Sequence, residues 1–387
     1  MEKTWRWFGP NDKITLDMLR QIGVEGIVTA LHHIPNGEIW SYDEVIKMKT
    51  YIESHGLRWS VVESLPVSES IKYGGADRDQ LIDNYKVSLA NLGKAGVKTI
   101  CYNFMPVLDW ARTDLEYPNS DGTSNLYFNR AEFAYFDIHI LKRPGAIDQW
   151  DYSTIERMNQ LAQTMTPATE AKLIDNIIIK TQGFVSGNFS EGDANPIAKF
   201  HQLLNLYQGI DKATLRQNLQ YFLEAIMPVC NEYDINMCVH PDDPPMPIFG
   251  LPRIVTCDED IEWFLNAVPD SHNGLTFCAG SLSAGANNDV VALAKKYVER
   301  THFVHARICQ VMPNGDFKES THLDPRLIDI IKTFETRRPG VAMRVDHAPL
   351  MLGDDKIGYN AGYSFHGRML ALGMVSGIMA TINAENK

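Results

Sequence analysis

The sequence alternates short apolar segments, rich in β-branched and aromatic residues, with longer amphipathic stretches of helical length. This alternation is typical of βα units with a parallel sheet. Eight segments have the length and composition of strands: residues 4–8, 24–31, 57–64, 97–104, 235–240, 274–278, 301–308 and 341–346. Eight such strands predict an α/β fold, a closed (β/α)8 TIM barrel, with functional residues at the carboxyl ends of the strands. A doubly wound open sheet is the main alternative, but no GxGxxG motif follows a candidate strand.

The spacing of the strands bears on the number of domains. By length alone, 387 residues allow two or three domains of about 150 residues each. The strand pattern instead predicts a single barrel domain over residues 1–387, in which residues 105–211 separate the fourth and fifth strands. Long ordered insertions are usually functional. We therefore predict that residues 105–211 form a partly helical insertion that covers the barrel mouth.

Charge and hydropathy exclude several classes of protein. With 48 acidic and 36 basic residues the net charge is −12, so the chain lacks the basic excess of a nucleic-acid-binding protein. It contains no run of about 18 apolar residues, and its N-terminus has no apolar signal segment. Six cysteines without a CxxC pair favour a reducing compartment. We expect a soluble, cytoplasmic protein that binds neither nucleic acid nor membrane.

The last four candidate strands each carry or end in a residue that can bind metal. These residues are His240, Cys278, His305 and Asp346, and their separations of 38, 27 and 41 residues each correspond to about one βα unit. Taken singly, a buried cysteine or histidine is more commonly a core residue. Four polar groups at one end of a barrel, however, need a partner because unpaired burial is costly. The set therefore predicts a divalent metal site.

The donor types narrow the choice of metal. One thiolate, two imidazoles and one carboxylate favour Fe(II) or Zn(II) over an oxygen-bound Mg(II). Cys238 precedes His240 by two residues, so both side chains lie on the same face of the strand and Cys238 is an alternative ligand. We prefer Cys278, because Cys238 lies deeper in its strand.

Residues next to these ligands are suited to binding anions and transferring protons. Arg344 lies on the same strand face as Asp346 and is a candidate for holding a substrate carboxylate; pairing with a carboxylate of the barrel is the alternative. His347 is a candidate general base or acid, and Tyr363 a candidate proton donor; packing within a loop is the alternative for both. Polar residues after earlier strands are candidates for binding substrate hydroxyl groups: His32, His33, Asn103, Asp109 and Arg112.

Three common catalytic motifs are absent from the sequence. There is no GxSxG elbow, no GxxxxGK[ST] loop and no HExxH helix. The sequence therefore gives no motif evidence for a serine hydrolase, a P-loop nucleotide enzyme or a zincin protease.

Seven motifs are spread along the chain: WRWFGPND at 5–12, TALHHIPNGEIW at 29–40, CYNFMPVLDWARTDL at 101–115, VHPDDPP at 239–245, NGLTFCAGS at 273–281, FVHAR at 303–307 and RVDH at 344–347. Together they resemble the mannonate dehydratase family, and the resemblance runs nearly from end to end. It implies a barrel of the xylose-isomerase-like kind, a requirement for Fe(II) or Mn(II), and dehydration of D-mannonate to 2-dehydro-3-deoxy-D-gluconate in hexuronate (glucuronate) catabolism.

The resemblance also assigns residues. The metal ligands of the family fall on His240, Cys278, His305 and Asp346. Its substrate-binding and proton-transfer residues fall on three further positions: Arg344, His347 and Tyr363. The sequence does not decide which of His347 and Tyr363 is the base.

The chain departs from the family pattern after the eighth strand. It has Ala348 and Pro349 where the family commonly continues with Gly and His. Alanine restricts positive φ, and proline favours an extended conformation for the residue before it. Two other functions stay open, a metal-dependent aldose–ketose isomerase and a non-catalytic sugar-acid-binding protein. A homo-oligomer is compatible with all three.

Overall fold

A closed barrel of parallel strands forms the centre of the molecule. In the computed structural model, which describes residues 1–183, 188–189 and 192–385, eight strands close the barrel in the order β1-β12-β9-β8-β7-β4-β3-β2. With strands numbered in chain order, these are Glu2–Arg6 (β1), Gly26–Thr29 (β2), Arg58–Glu63 (β3), Thr99–Tyr102 (β4), Asn236–Val239 (β7), Asn273–Cys278 (β8), Thr301–Ala306 (β9) and Ala342–Val345 (β12). All eight predicted strands are present, so the predicted TIM barrel is confirmed.

Helices separate the barrel strands and cover them. Their bounds are Leu16–Gln21 (α1), Tyr42–Ser54 (α2), Glu69–Tyr73 (α3), Arg78–Lys94 (α4), Arg130–Tyr135 (α5), Tyr152–Ala162 (α6), Pro167–Ile174 (α7), Pro196–Leu206 (α8), Lys212–Tyr233 (α9), Asp258–Ala267 (α10), Ala279–Ser283 (α11), Val290–Tyr297 (α12), Pro325–Arg337 (α13) and Phe365–Glu385 (α14). Local chemistry sets their ends: α2 follows Ser41, whose hydroxyl accepts a hydrogen bond from the Glu44 amide at 3.3 Å. On α9, apolar residues at helical spacing bury one face, including Leu215, Leu219 and Phe222.

The register of the parallel strands sets which side chains share a level of the barrel. His305 on β9 is paired with Cys278 on β8 and with Arg344 on β12. On the other side of the barrel, Glu63 at the end of β3 is paired with Cys101 on β4. Polar residues from several strands therefore meet at the carboxyl end of the barrel.

The segment between β4 and β7 contains helices α5 to α9 and also two strands, Asp114–Pro118 (β5) and Ser124–Phe128 (β6). These strands join two strands that follow β9, Cys309–Val311 (β10) and Phe317–Glu319 (β11), in an antiparallel sheet of order β10-β11-β6-β5. We call this the accessory sheet. The sequence did not predict it. Residues 184–187 and 190–191 of the predicted insertion lie outside the described residues, and the single-domain organisation stays a prediction.

The C-terminal helix α14 is long and apolar, so we compared it with a membrane-spanning helix. By length and composition alone it is apolar enough to cross a membrane, and 39% of its most apolar window is buried inside the molecule. Its buried residues include Leu372 and Val375, and it packs on α13 and β12. Core helices of water-soluble proteins meet the same criteria, so α14 by itself does not indicate a membrane protein.

The first turn of α14 packs closely against the chain after β12, which gives a stability prediction. A Cβ atom on Gly367 would lie 1.9 Å from the Pro349 carbonyl oxygen, whereas one on Gly373 of the same helix would have nothing within 4 Å. Gly367→Ala should destabilise the protein by about 1–3 kcal/mol through overpacking. Gly373→Ala should stabilise it by up to about 1 kcal/mol through helix propensity. Denaturant unfolding of both variants measures this, and equal effects would contradict the packing described.

Candidate metal centre and active site

A cavity at the carboxyl end of the barrel collects most of the predicted site residues. Seven of them line it: Asn103, Asp109, His240, Arg344, Asp346, His347 and Tyr363. The lining also includes residues to which the sequence analysis gave no role in this site: Arg6, Glu63, Ser64, Cys101, Trp110 and Arg307.

Three of the four predicted metal ligands form a compact cluster. His240, Cys278 and His305 each offer a ligand atom, and these atoms lie within 4.8 Å of one another. His305 is fully buried, yet neither of its ring nitrogens has a hydrogen-bond partner among the residues that the structure describes. Burying an unpartnered polar group is unfavourable. The cluster therefore fits a metal ion, to which the imidazole nitrogens and the thiolate sulfur would be the donor atoms.

The protonation states of two ligands also suit a metal. Burial opposes ionisation of the Cys278 thiol, but the charges of Arg307 and His240 outweigh it and lower the thiol pKa. Burial, together with the positive charge of Arg344, holds the pKa of His305 well below its ordinary value. A thiolate and a neutral imidazole are the forms that bind metal.

His240 differs from the other two ligands. Burial opposes its protonation, but the negative charge of Cys278 outweighs this and raises the pKa of His240 to about 10. Its Nδ1 lies 2.7 Å from the Pro241 carbonyl oxygen, which accepts a hydrogen bond from the ring. Without a metal, a proton on His240 balances the thiolate; a metal ion would take the place of that proton.

Asp346, the fourth predicted ligand, lies beside the cluster. Its Oδ2 is 3.9 Å from Cys278 Sγ and 3.7 Å from His305 Nδ1. In this structure the carboxylate accepts hydrogen bonds from Arg344 and from Arg307, whose Nε lies 2.6 Å from Oδ2. Its role as a ligand stays a prediction. Cys238, the alternative thiolate, packs in the barrel interior with Val28, Val61, Cys101, Phe303 and Ala342.

Arg344 is engaged with carboxylates of the barrel. Its Nε and Nη2 donate to the two oxygens of Glu63, both at 2.9 Å, and its Nη1 donates to Asp346. The two guanidinium nitrogens expected to bind a substrate carboxylate instead bind Glu63. Pairing of Arg344 with a barrel carboxylate was the alternative that the sequence left open. Binding of substrate by Arg344 stays a prediction. Glu63 could have been found from its place at the end of a strand.

His347 and Tyr363 are neighbours in the cavity wall. Their rings are 5.2 Å apart between centroids and nearly perpendicular. Burial and the charge of Asp346 raise the pKa of Tyr363, so its hydroxyl keeps its proton at neutral pH. The chain accommodates the departure from the family pattern: Ala348 has no positive φ, and its amide donates to the Gly362 carbonyl oxygen at 3.2 Å.

Only some of the predicted hydroxyl-binding residues lie in the cavity. Asn103 lies in the cavity, where its side-chain amide donates to Asp109 at 2.8 Å. Binding of a substrate hydroxyl group by His33 stays a prediction. Its side chain is 57% exposed, pairs with Glu44 at 3.0 Å and lies outside this cavity. The reason is that His33 comes four residues after the end of β2, where the chain has turned towards α2.

Arg112 belongs to a buried ionic network behind the cavity rather than to its lining. It donates to Asp243 at 2.6 Å and to Glu319 at 2.8 Å. Arg307 donates to the same two carboxylates at 2.6 and 2.7 Å and also to Asp346. The sequence analysis missed this network, although the VHPDDPP and FVHAR motifs contain Asp243 and Arg307.

Together, the barrel, the His–Cys–His cluster and the neighbouring His–Tyr pair define a metal-dependent enzyme with a TIM-barrel fold. The family model for D-mannonate dehydratase (UxuA) matches residues 1–387. A mannonate dehydratase of Chromohalobacter salexigens is 42% identical over 393 residues, covering 99% of each chain. The chain therefore belongs to the mannonate dehydratase family.

Solved structures agree with this assignment. The crystal structure of mannonate dehydratase from Streptococcus suis serotype2 matches with a TM-score of 0.79 and 32% identity, covering 100% of this chain and 96% of that one. A xylose isomerase domain protein from Planctomyces limnophilus, 8% identical with a TM-score of 0.50 over 99% and 98% of the two chains, shares the fold alone. The predicted family, hydro-lyase class and dehydration of D-mannonate are confirmed. The isomerase and non-catalytic alternatives are not favoured.

The buried network gives a prediction for acid stability. Burial opposes ionisation of Glu319, but Arg307 and Arg112 outweigh it and lower its pKa from 4.5 to about 2. Because the folded-state pKa is the lower one, the stabilisation by this carboxylate is fully present above pH 4.5 and is lost as the pH falls towards 2. The difference in unfolding free energy between the wild type and Glu319→Gln should therefore shrink over this range. A difference independent of pH, measured by urea unfolding, would contradict the assignment.

Proposed function

We propose that the chain dehydrates D-mannonate in the central cavity, yielding 2-dehydro-3-deoxy-D-gluconate and water. The metal ligands would be His240, Cys278, His305 and Asp346. The observation that carries the proposal is the fully buried imidazole of His305, which has no hydrogen-bond partner among the described residues and lies beside Cys278 and His240. His240 in turn lines the same cavity as His347 and Tyr363.

The proposed metal is Fe(II) or Mn(II), as the family resemblance implies. The thiolate and imidazole donors favour Fe(II) of the two. When bound, the ion would act as a Lewis acid on the substrate carboxylate and a neighbouring hydroxyl group.

The residues of the chain supply the proton transfers. The reaction removes the C2 proton and the C3 hydroxyl group, and the C2 proton is weakly acidic because it lies next to a carboxylate. His347 and Tyr363 are the two groups of the cavity suited to act as base and acid. Arg344 adds positive charge near the substrate carboxylate while it holds Glu63 and Asp346 in place.

Other residues would bind and enclose the substrate. Asn103, which lines the cavity, is the proposed partner of a substrate hydroxyl group. Asp109 and Trp110 line the same cavity and belong to residues 105–211, which supports the proposal that this insertion covers the barrel mouth. We further propose that the reaction serves hexuronate (glucuronate) breakdown in the cytoplasm and needs no nucleic acid or membrane; a homo-oligomer is compatible with it.

Metal reconstitution tests the proposed ligands. After anaerobic loading with Fe(II), Mn(II) or Zn(II), the wild type should bind one ion per chain and, with Fe(II) or Mn(II), release a 2-keto acid from D-mannonate. Cys278→Ala should lose both metal and activity. Cys257→Ala is the matched control, because Cys257, the residue before α10, belongs neither to the described metal cluster nor to the cavity lining. Full metal content and activity in Cys278→Ala would refute the ligand assignment.

Substitution of the proton-transfer pair separates chemistry from metal binding. His347→Asn and Tyr363→Phe should each keep the metal but lower kcat by about 10²- to 10⁴-fold, the usual contribution of a general acid or base. Metal analysis and turnover of D-mannonate measure the two effects. Wild-type kcat in both variants would remove the pair from the mechanism.

A further inference from the structure

The carboxylate of Glu319 reaches the active site from outside the barrel. Glu319 ends β11 of the accessory sheet and is only 2% exposed. Its Oε1 lies 3.2 Å from Nδ1 of His347, which follows the barrel strand β12. The proposed function gives Glu319 no role, so this contact calls for a separate explanation.

Several interactions fix the position and charge of this carboxylate. Oε1 accepts hydrogen bonds from Arg112 at 2.8 Å and from Arg307 at 2.7 Å. The backbone carbonyl of Glu319 accepts a hydrogen bond from the Asn125 side chain at 2.9 Å, and its strand is paired with β10. Two guanidinium groups next to one buried carboxylate keep it ionised.

An ionised carboxylate can only accept hydrogen bonds. The proton between the two residues must therefore lie on Nδ1 of His347. In the neutral imidazole this leaves Nε2 as the nitrogen without a proton. Nε2 lies 3.9 Å from Oδ1 of Asp346, the proposed metal ligand that also lines the cavity.

Packing also fixes the plane of the His347 ring. The Trp110 ring lies 4.7 Å away between centroids. On another side, a Cβ atom on Gly362 would lie 2.9 Å from His347 Cδ2, and Gly362 has a positive φ of 80°. Glycine therefore leaves the space that the ring fills. With its plane fixed by packing, the ring needs only a hydrogen bond at Nδ1 to define which nitrogen serves the substrate.

We propose that Glu319 is a positioning residue that holds His347 in the Nδ1-protonated tautomer and directs its Nε2 to the substrate. The proposal rests on the proposed role of His347 in proton transfer. It gives the accessory sheet a function in the reaction: the sheet carries the group that orients a side chain of the barrel.

A double-mutant cycle in the metal-loaded enzyme tests this role. Glu319→Gln should lower kcat for D-mannonate by about 10- to 100-fold, as for other residues that orient an active-site group, with KM changed less than about threefold. In a His347→Asn background the same substitution should lower kcat by less than about threefold, because the side chain it orients is gone. Metal content, measured in all four proteins, should stay at one ion per chain.

The outcomes separate this inference from the proposed function. Wild-type kcat in Glu319→Gln, or an equal loss in both backgrounds, would overturn the positioning role while leaving the dehydratase reaction intact. Wild-type kcat in His347→Asn would overturn the proton-transfer role of His347 and this inference with it. Failure of the metal-loaded wild type to release a 2-keto acid from D-mannonate would instead contradict the proposed function.

A measurement on the wild type covers the case in which Glu319→Gln does not fold. In protein labelled with ¹⁵N-histidine and loaded with diamagnetic Zn(II), two-bond ¹H–¹⁵N spectra distinguish the two neutral tautomers of a histidine. The His347 signals are those missing from the His347→Asn spectrum. A protonated Nδ1 and an unprotonated Nε2 are expected, and the opposite tautomer would overturn the inference.

Discussion

The active site depends on the ion pairs that the guanidinium group of Arg307 makes with three buried carboxylates. Arg307 lies just after β9, is 1% exposed, and donates to Asp243, Glu319 and Asp346 at 2.6, 2.7 and 2.6 Å. These carboxylates belong to the loop after β7, to the accessory sheet and to the end of β12. Buried carboxylates are unfavourable unless paired. One cation therefore allows three separate parts of the chain to place negative charge close to the metal cluster.

The same charge acts on the cluster itself. Arg307 lowers the pKa of Cys278 against the effect of burial, which favours the thiolate form. Arg344 lies on the other side of the Asp346 carboxylate from Arg307. It pairs with Glu63 and Asp346, and its charge helps to keep His305 neutral. The two arginines thus favour the metal-binding forms of two candidate ligands, Cys278 and His305, one from each side of Asp346.

Much of the site could be predicted because it follows the period of the fold. His240, Cys278 and His305 lie at or just beyond the ends of successive barrel strands, and the spacing of βα units brings such positions together whatever the loops do. His33 lies outside the central cavity for the opposite reason: it comes after the strand end, where the direction of the chain depends on the turn. The pairing of Glu63 with Arg344 joins strands β3 and β12, and no local pattern in the sequence specifies a partner so distant.

The sequence could not identify Glu319 as a residue of the site for a further reason. Its strand has three residues, too few for a period to be read, and it pairs with β6, which lies far earlier in the chain. In an antiparallel ladder, a slip of one residue turns every side chain to the other face. The segments 114–128 and 309–319 therefore form one structural unit, which depends on the pairing of β6 with β11. A graft of either loop alone into another barrel would carry over its residues but not the geometry that makes them useful.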